Sequence, residues 1–297
     1  MPVAKRVLVT GSEGFTGKYV CDALTKTDWE VWRAGINSSV RAPRYLQLDL
    51  LDPTSLIAID SLIQPEVVIH LAAAAFIPES DPAMFYKVNL LGTRNLLEAL
   101  SVSRSPPRCV ILASSANVYG NSGKSSLTEN NAVDPRNDYA VSKLAMEYLA
   151  KTFMSKLGIV ITRPFNYTGV GQSNRFLVPK LVHHFKNKIP EIELGNLDVA
   201  RDFSDVRDIA EYYAALAMIR PLGETINLCS GSVITLQNLI NTLSKLTDFQ
   251  ISVRVTNDLK RRDEVNVLKG NHSKLHSLLG PLRATNIQET LSWMLRS

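Results

Sequence analysis

The run Arg6-Val7-Leu8-Val9-Thr10 passes without a break into Gly11-Ser12-Glu13-Gly14-Phe15-Thr16-Gly17, and a helical pattern starts directly behind it. No other stretch restricts the fold so strongly. A buried strand that turns on glycine into a helix leaves the first-turn N–H groups and the positive end of the helix dipole facing outward, ready for an anion. Gly11 allows the tight turn, Gly14 lets an anionic group reach the backbone, and Gly17 lets helix and strand pack closely. Three glycines alone say little; their position after the first strand predicts a pyrophosphate-binding turn.

The rest of the first half repeats strand then helix. Apolar runs at 6–10, 30–34, 44–48, 67–72, 109–113 and 159–163 read as strands, with helical patterns at 18–25, 86–100 and 139–157. The strand runs are apolar throughout rather than alternating, as parallel strands covered on both faces must be. The predicted fold is therefore α/β, a Rossmann-type doubly wound parallel sheet. After Arg163-Pro164, breakers at Gly169, Gly171, Pro179, Pro190, Gly195 and Pro221 cut the chain into shorter pieces, which predicts a smaller mixed α/β lobe. A strand at 225–229 and a helix at 209–219 return to the sheet. The expected division is 1–165 plus about 205–229 for the sheet domain, and 166–204 with 230–297 for the lobe, with a ligand cleft between them.

Composition removes several classes of function. No apolar run approaches the length of roughly 18 residues that spans a bilayer, and the N-terminus leads straight into a strand, so a cytoplasmic protein without membrane contact is expected. Cys21, Cys109 and Cys229 are far apart in apolar surroundings, which predicts core residues and neither a metal site nor disulfides. The net charge of +5 comes from scattered basic residues, which fits a basic cleft for a phosphate-bearing ligand better than a nucleic-acid surface.

Tyr139-Ala140-Val141-Ser142-Lys143 sets a phenol and an ammonium four residues apart on one helix face. A phenol with pKa near about 10 is a poor acid–base group at neutral pH, and a neighbouring ammonium stabilises its phenolate. Just before that helix, Ser114 and Ser115 follow the strand 109–113. At the end of the second strand Gly35 stands where an acidic residue would hold the ribose hydroxyls of NAD. Its lack of a carboxylate, with Asn37, Ser38, Ser39 and Arg33 or Arg41 nearby, favours NADP(H), unless those arginines are solvated loop residues.

The GxxGxxG spacing, Asp49-Leu50, His70-Leu71-Ala72-Ala73, Val88-Asn89-Leu90-Leu91-Gly92-Thr93 and the Ser115…Tyr139…Lys143 order together resemble the extended short-chain dehydrogenase/reductases. The segments 163–172 and 195–208 are similar, within that family, to the GDP-6-deoxy-D-mannose reductases, and the likeness runs along nearly the whole chain. The resemblance implies that Ser115, Tyr139 and Lys143 are catalytic, Ser115 binding the substrate oxygen that gains or loses the proton. It implies NADP(H) contacts from Gly11, Gly14, Phe15, Thr16, Gly17, Asn37, Ser38, Asp49, Leu50, Leu71, Ala72, Ala73, Asn89, Tyr139 and Lys143. It assigns Asn117, Asn166, Val178, Lys180, Arg201 and Arg261 to a nucleotide-diphosphate sugar, although Arg201 could instead pair with Asp202. A homodimer built from the helices at 86–100 and 139–157 is implied as well.

Departures from neighbouring groups narrow the expectation. The similar 4,6-dehydratases carry an Asp-Glu pair where this chain has Ala116 and Asn117. The similar GDP-fucose synthases use a cysteine and a histidine where this chain has Asn117 and Phe176. Reduction of the C4 ketone of a GDP-linked 4-keto-6-deoxyhexose, supplying deoxysugars for surface glycans such as lipopolysaccharide, is therefore expected. A dTDP-linked substrate, a UDP-hexose 4-epimerase and a non-catalytic NADP-binding protein remain open alternatives.

Overall fold

The computed structural model describes residues 5–40, 42–75, 81–121, 123, 125–256, 266–281 and 283–297. The chain forms two compact units, one of residues 1–118, 135–164 and 210–226, the other of 119–134, 165–209 and 227–297. The segment 119–134, left in the first domain on sequence grounds, clusters with the second unit.

The first unit is built on a seven-stranded sheet of β1 (Arg6–Thr10), β2 (Glu30–Gly35), β3 (Tyr45–Gln47), β4 (Val67–His70), β5 (Cys109–Ala113), β6 (Ile159–Pro164) and β10 (Thr225–Leu228) in the order β10-β6-β5-β4-β1-β2-β3. The registers from β3 through to β6 are parallel. Val7, Leu8, Val9, Val67, Val68, Ile69, Val110, Ile111 and Leu112 are all completely buried, which explains the unbroken apolar runs. The chain lays β2 and β3 to one side of β1 and then returns to place β4 on the other. That reversal parts the loops after β1 and β4 at their carboxyl ends, the place where doubly wound sheets bind ligands.

Helix α1 (Phe15–Leu24) begins one turn earlier than its hydrophobic pattern suggests, with Gly14 as the extended N-cap, and buries Gly17, Val20, Cys21 and Leu24. Helix α2 (Pro53–Ala58) starts with Asp52 capping Thr54 N and proline in its first turn. A longer helix follows as α3 (Ala83–Phe85), a π-helical stretch over Tyr86–Gly92 and α4 (Thr93–Ser101). Helix α5 (Asp138–Lys151) ends one and a half turns before the expected 157, and β4 stops at His70 rather than at 72.

In the second unit β9 (Ala200–Asp205) is flanked by β7 (Asn166–Thr168), β11 (Val233–Thr235) and β13 (Val267–Leu268), and β8 (Glu191–Leu194) pairs in parallel with β12 (Ser252–Val255). Helices α6 (Leu177–Lys186), α8 (Leu236–Thr247) and α10 (Ile287–Arg296) pack around a core that includes Val178, Leu181, Phe185, Leu239, Leu243 and Leu291. Helix α7 (Val206–Ile219) carries the chain back to the first unit, and α9 (Ser273–Leu279) follows β13. Among the described residues no helix is long and apolar enough to cross a membrane, and no group of three or more His, Cys, Asp or Glu is placed to hold a metal. All three cysteines are buried, and burial pushes the thiols of Cys21 and Cys109 up to about 11 and 12, so they are packing residues without nucleophilic character.

Candidate active site

The glycine turn lies at the reversal of strand order. Gly11 has φ +67°, and a Cβ there would come within 2.6 Å of Ala72 N, so the turn after β1 and the loop after β4 touch backbone to backbone. Gly14 N donates to Gly11 O at 3.0 Å, closing the turn. A Cβ on Gly17 would lie 2.7 Å from Ser12 Cα, whereas one on Gly14 would meet only Gly11 O, at 3.2 Å, among the described residues. The outer face of Gly14, in front of α1, is thus open, and the first turn of α1 holds no acidic residue. Such a cradle fits the pyrophosphate of a dinucleotide.

Leu71 and Ala72, half-buried, and Ala73, exposed, continue the rim after β4. Asn89 is fully buried: its side chain accepts from Ala74 N at 2.8 Å and donates to Ala74 O and Ser142 Oγ, each at 3.0 Å. The Asn89 amide, assigned to the cofactor by the resemblance, braces the rim against α5. His70 is also buried, between Thr10 and Thr93 hydroxyls at 2.7 and 3.0 Å. Desolvation, reinforced by Lys143, holds its imidazole down at about 3, neutral and structural.

At the far corner, Asp49 is exposed with its carboxylate on Leu51 N, and Leu50 is buried. Asn37, Ser38 and Ser39 are exposed, with Asn37 Oδ1 accepting from Ser39 N and Oγ. Gly35 is not the carboxylate-free corner that the sequence suggested. A Cβ on Gly35 would collide with the Glu13 carboxylate, which arrives from the glycine turn, and would lie 2.9 Å from Tyr45 Oη. The Arg33 side chain interacts with Cys21 on α1, and Arg44 pairs with Glu30. Arg41 lies outside the described residues.

Ser114 and Ser115 emerge from β5 and lead into a 3-10 turn, Ala116–Tyr119. Ser115 is buried and its Oγ accepts from Asn117 N at 3.2 Å, while Asn117 itself is exposed. Across from them, Asn137 caps α5 by accepting from Ala140 N at 2.9 Å, and Tyr139, in the first turn, packs edge-on against Phe85. One turn on, Lys143 is buried and donates to Ala113 O at 2.7 Å, so α5 is tied to the end of β5. Burial lowers its ammonium to about 8, with Glu147 opposing the shift. Glu147 continues the same helix face. It accepts from Ser114 Oγ at 2.5 Å and receives a two-pronged hydrogen bond from Arg163 of β6, at 2.9 and 2.7 Å. Tyr139 and Lys143 stand four residues apart, and the same spacing, extended once more, points to Glu147.

In the second unit Asn166 Nδ2 lies 3.5 Å from Asp202 O, and Arg201 donates to Ala200 O and Asn266 O. The pairing of Arg201 with Asp202 that the sequence left open gives way to another arrangement: the buried Asp202 carboxylate takes Ser230 N and Oγ, Gly231 N and Gly270 N. Val178 is packed in the core of the second unit, and Lys180 Nζ donates to Glu193 O. Arg261 lies outside the described residues.

A family model described as the NAD dependent epimerase/dehydratase family matches residues 7–229. The chain is 33% identical to the GDP-6-deoxy-D-talose 4-dehydrogenase of Aggregatibacter actinomycetemcomitans, over 98% of this chain and 97% of that protein. It is 32% identical to the GDP-6-deoxy-D-mannose reductase of Pseudomonas aeruginosa, over 97% of this chain and 95% of that one. The solved structure of RMD from Pseudomonas aeruginosa complexed with NADPH superposes with a TM-score of 0.87 at 31% identity, covering 98% of each chain. The protein therefore belongs to the NAD dependent epimerase/dehydratase family, the extended short-chain dehydrogenase/reductases, and is an enzyme of the oxidoreductase type.

Proposed function

We propose that this enzyme moves a hydride between a nicotinamide dinucleotide and C4 of a hexose carried on a nucleoside diphosphate, acting on a 4-keto-6-deoxyhexose in the reductive direction. GDP is the favoured nucleotide, because both curated relatives described above act on GDP-6-deoxyhexoses. The observation that carries the reading is the tie between α5 and β5, with buried Lys143 anchored on Ala113 O one turn beyond Tyr139 and Ser115 two residues past that carbonyl.

The turn at Gly11, Gly14 and Gly17 would hold the dinucleotide, which would supply the hydride. Ser115 Oγ donates a hydrogen bond to the C4 oxygen and polarises the ketone. Tyr139 gives its phenolic proton to that oxygen as negative charge develops. Lys143, still mostly an ammonium at neutral pH, stabilises the resulting phenolate. Ala116 and Asn117 follow Ser115 without a carboxylate, so an elimination of water has no acid–base pair there. In the second unit, Asn166 and Arg201 are assigned the substrate diphosphate. A homodimer through the segments 86–100 and 139–157 belongs to the same proposal, supported by exposed Leu91, Val141, Tyr148 and Met154.

A 4-epimerase would use the same serine, tyrosine and lysine, and the sequence argument against it from Gly35 falls now that Glu13 occupies that corner. The two readings differ in redox balance. Offered GDP-, dTDP- and UDP-linked 4-keto-6-deoxyhexoses, the enzyme is expected to consume one reduced cofactor per sugar, read at 340 nm, with Tyr139→Phe at least about 10³-fold slower yet still binding cofactor. Interconversion of UDP-hexoses without net cofactor consumption, or near-normal turnover by Tyr139→Phe, would defeat the proposal.

A further inference from the structure

The end of β2 lacks an acidic residue in sequence but not in space. Ser12 N and Oγ both bond Ala34 O at 3.1 Å, pinning the glycine turn against the last residues of β2 and carrying Glu13 over Gly35. Glu13 Oε2 is held there by Tyr45 Oη at 2.9 Å and by Asn37 N at 3.4 Å. Tyr45 Oη also lies 3.1 Å from Asn37 O, so strand β3 and the loop after β2 both fix the carboxylate. Gly35 is the complement of this arrangement, since any side chain would drive into the Glu13 carboxylate. The two arginines of β2 and its following loop that are described do not neutralise it: Arg33 is engaged with Cys21 and Arg44 with Glu30.

We infer that Glu13 is the residue that selects the cofactor, accepting hydrogen bonds from the adenosine ribose hydroxyls and repelling a 2′-phosphate, so that the enzyme prefers NAD(H) to NADP(H). The inference rests on the Gly11 turn being the dinucleotide site. At that turn the ribose following the pyrophosphate faces the end of β2, where a carboxylate discriminates against the phosphate by charge and rewards the diol by two acceptor oxygens. Glutamate from the turn reaches the same point that an aspartate or glutamate at the strand end reaches in other dinucleotide sites. Gly35→Asp would therefore not install a missing group; it would crowd a second carboxylate against the first.

Titration of the protein with NADH and NADPH, followed by nicotinamide fluorescence or calorimetry, tests this without turnover. NADH is expected to bind about 10-fold or more tighter than NADPH. Glu13→Gln, isosteric and uncharged, should tighten NADPH by about 10-fold while leaving NADH within about 3-fold, because it removes the repulsion and keeps an acceptor. Tyr45→Phe leaves the charge but removes its tether, and should narrow the NADH/NADPH ratio by a smaller factor. Equal or tighter NADPH binding by the parent, or an unchanged ratio in Glu13→Gln, overturns the inference while leaving the dinucleotide site intact. Failure of the parent to bind either dinucleotide would overturn the reading of the turn itself, and this inference with it.

Discussion

The two units solve the burial problem differently. The first spends its interior on aliphatic strands, and the polar groups that matter stand at the carboxyl ends of those strands, on Gly11, Ala72, Ala113 and Ser115. The second has shorter strands and gathers its loops around buried aspartates. Asp202 gathers Ser230, Gly231 and Gly270, Asp205 holds Arg207 and Thr290, and Asp208 holds both Thr285 N and Oγ1. Three aspartates on one short stretch thus organise loops that a wide sheet organises in the first unit. The 195–208 motif contains all three aspartates, so much of its distinctiveness is structural.

If that contrast is right, the largest stability loss should come from the second unit. Asp202→Ala removes the acceptor for four hydrogen bonds at once and strands the backbone donors of buried Gly270 and half-buried Gly231. At about 1–3 kcal/mol per unsatisfied buried donor, offset by relief of the desolvation that raises the Asp202 pKa, a net loss on the order of 4 kcal/mol is expected in urea unfolding. A loss below about 1 kcal/mol would show that the carboxylate is not the organiser.

The same contrast explains what could be read in advance. Strands of the first unit announce themselves because Val, Ile and Leu repeat without interruption, and the glycine turn is visible because its chemistry is local. In the second unit β8, Glu-Ile-Glu-Leu, alternates exposed and buried, and β9 carries two buried aspartates, so neither looks like a core strand by composition. Contacts between distant residues stayed hidden for a related reason. Nothing local in the sequence says that Glu13 ends over Gly35, because the meeting depends on where the turn is pinned against β2. The bonds of Asn89 to Ala74 and Ser142 were hidden likewise.

The first unit contains one buried carboxylate network of its own, and perturbing it sharpens the comparison. Glu147→Gln leaves the Arg163 guanidinium without its counter-charge and should cost about 3 kcal/mol in unfolding free energy. Unlike Asp202→Ala, it should also move a pH profile. Glu147 is the influence that keeps the Lys143 ammonium from falling further than about 8, so its loss should shift the lysine's titration to lower pH. The alkaline limb of the turnover profile is then expected to move down, while Glu147→Asp restores part of it. A stability loss with an unmoved profile would reduce Glu147 to packing alone.

The smallest effect gives the cleanest comparison, because the same local chemistry, a side-chain cap on the third N–H of a helix, occurs in both units. Asn137 caps α5 through Ala140 N at 2.9 Å, and Thr235 caps α8 through Asn238 N at 3.1 Å. Replacing either by alanine should cost about 1 kcal/mol of stability, the usual value of one capping hydrogen bond. The functional consequences should differ. Tyr139 sits in the first turn of α5, two residues past the cap, so fraying that turn displaces the proposed proton donor, whereas Lys143 one turn deeper keeps its bond to Ala113 O. Asn137→Ala is therefore expected to lower kcat several-fold with little change in cofactor affinity, and Asn137→Asp or Asn137→Ser, which still cap, should recover most of it. Thr235→Ala should lose as much stability with turnover unchanged. Equal losses of turnover in the two alanine variants would mean that α5 feels only global stability, and that the placement of Tyr139 does not depend on the helix end that carries it.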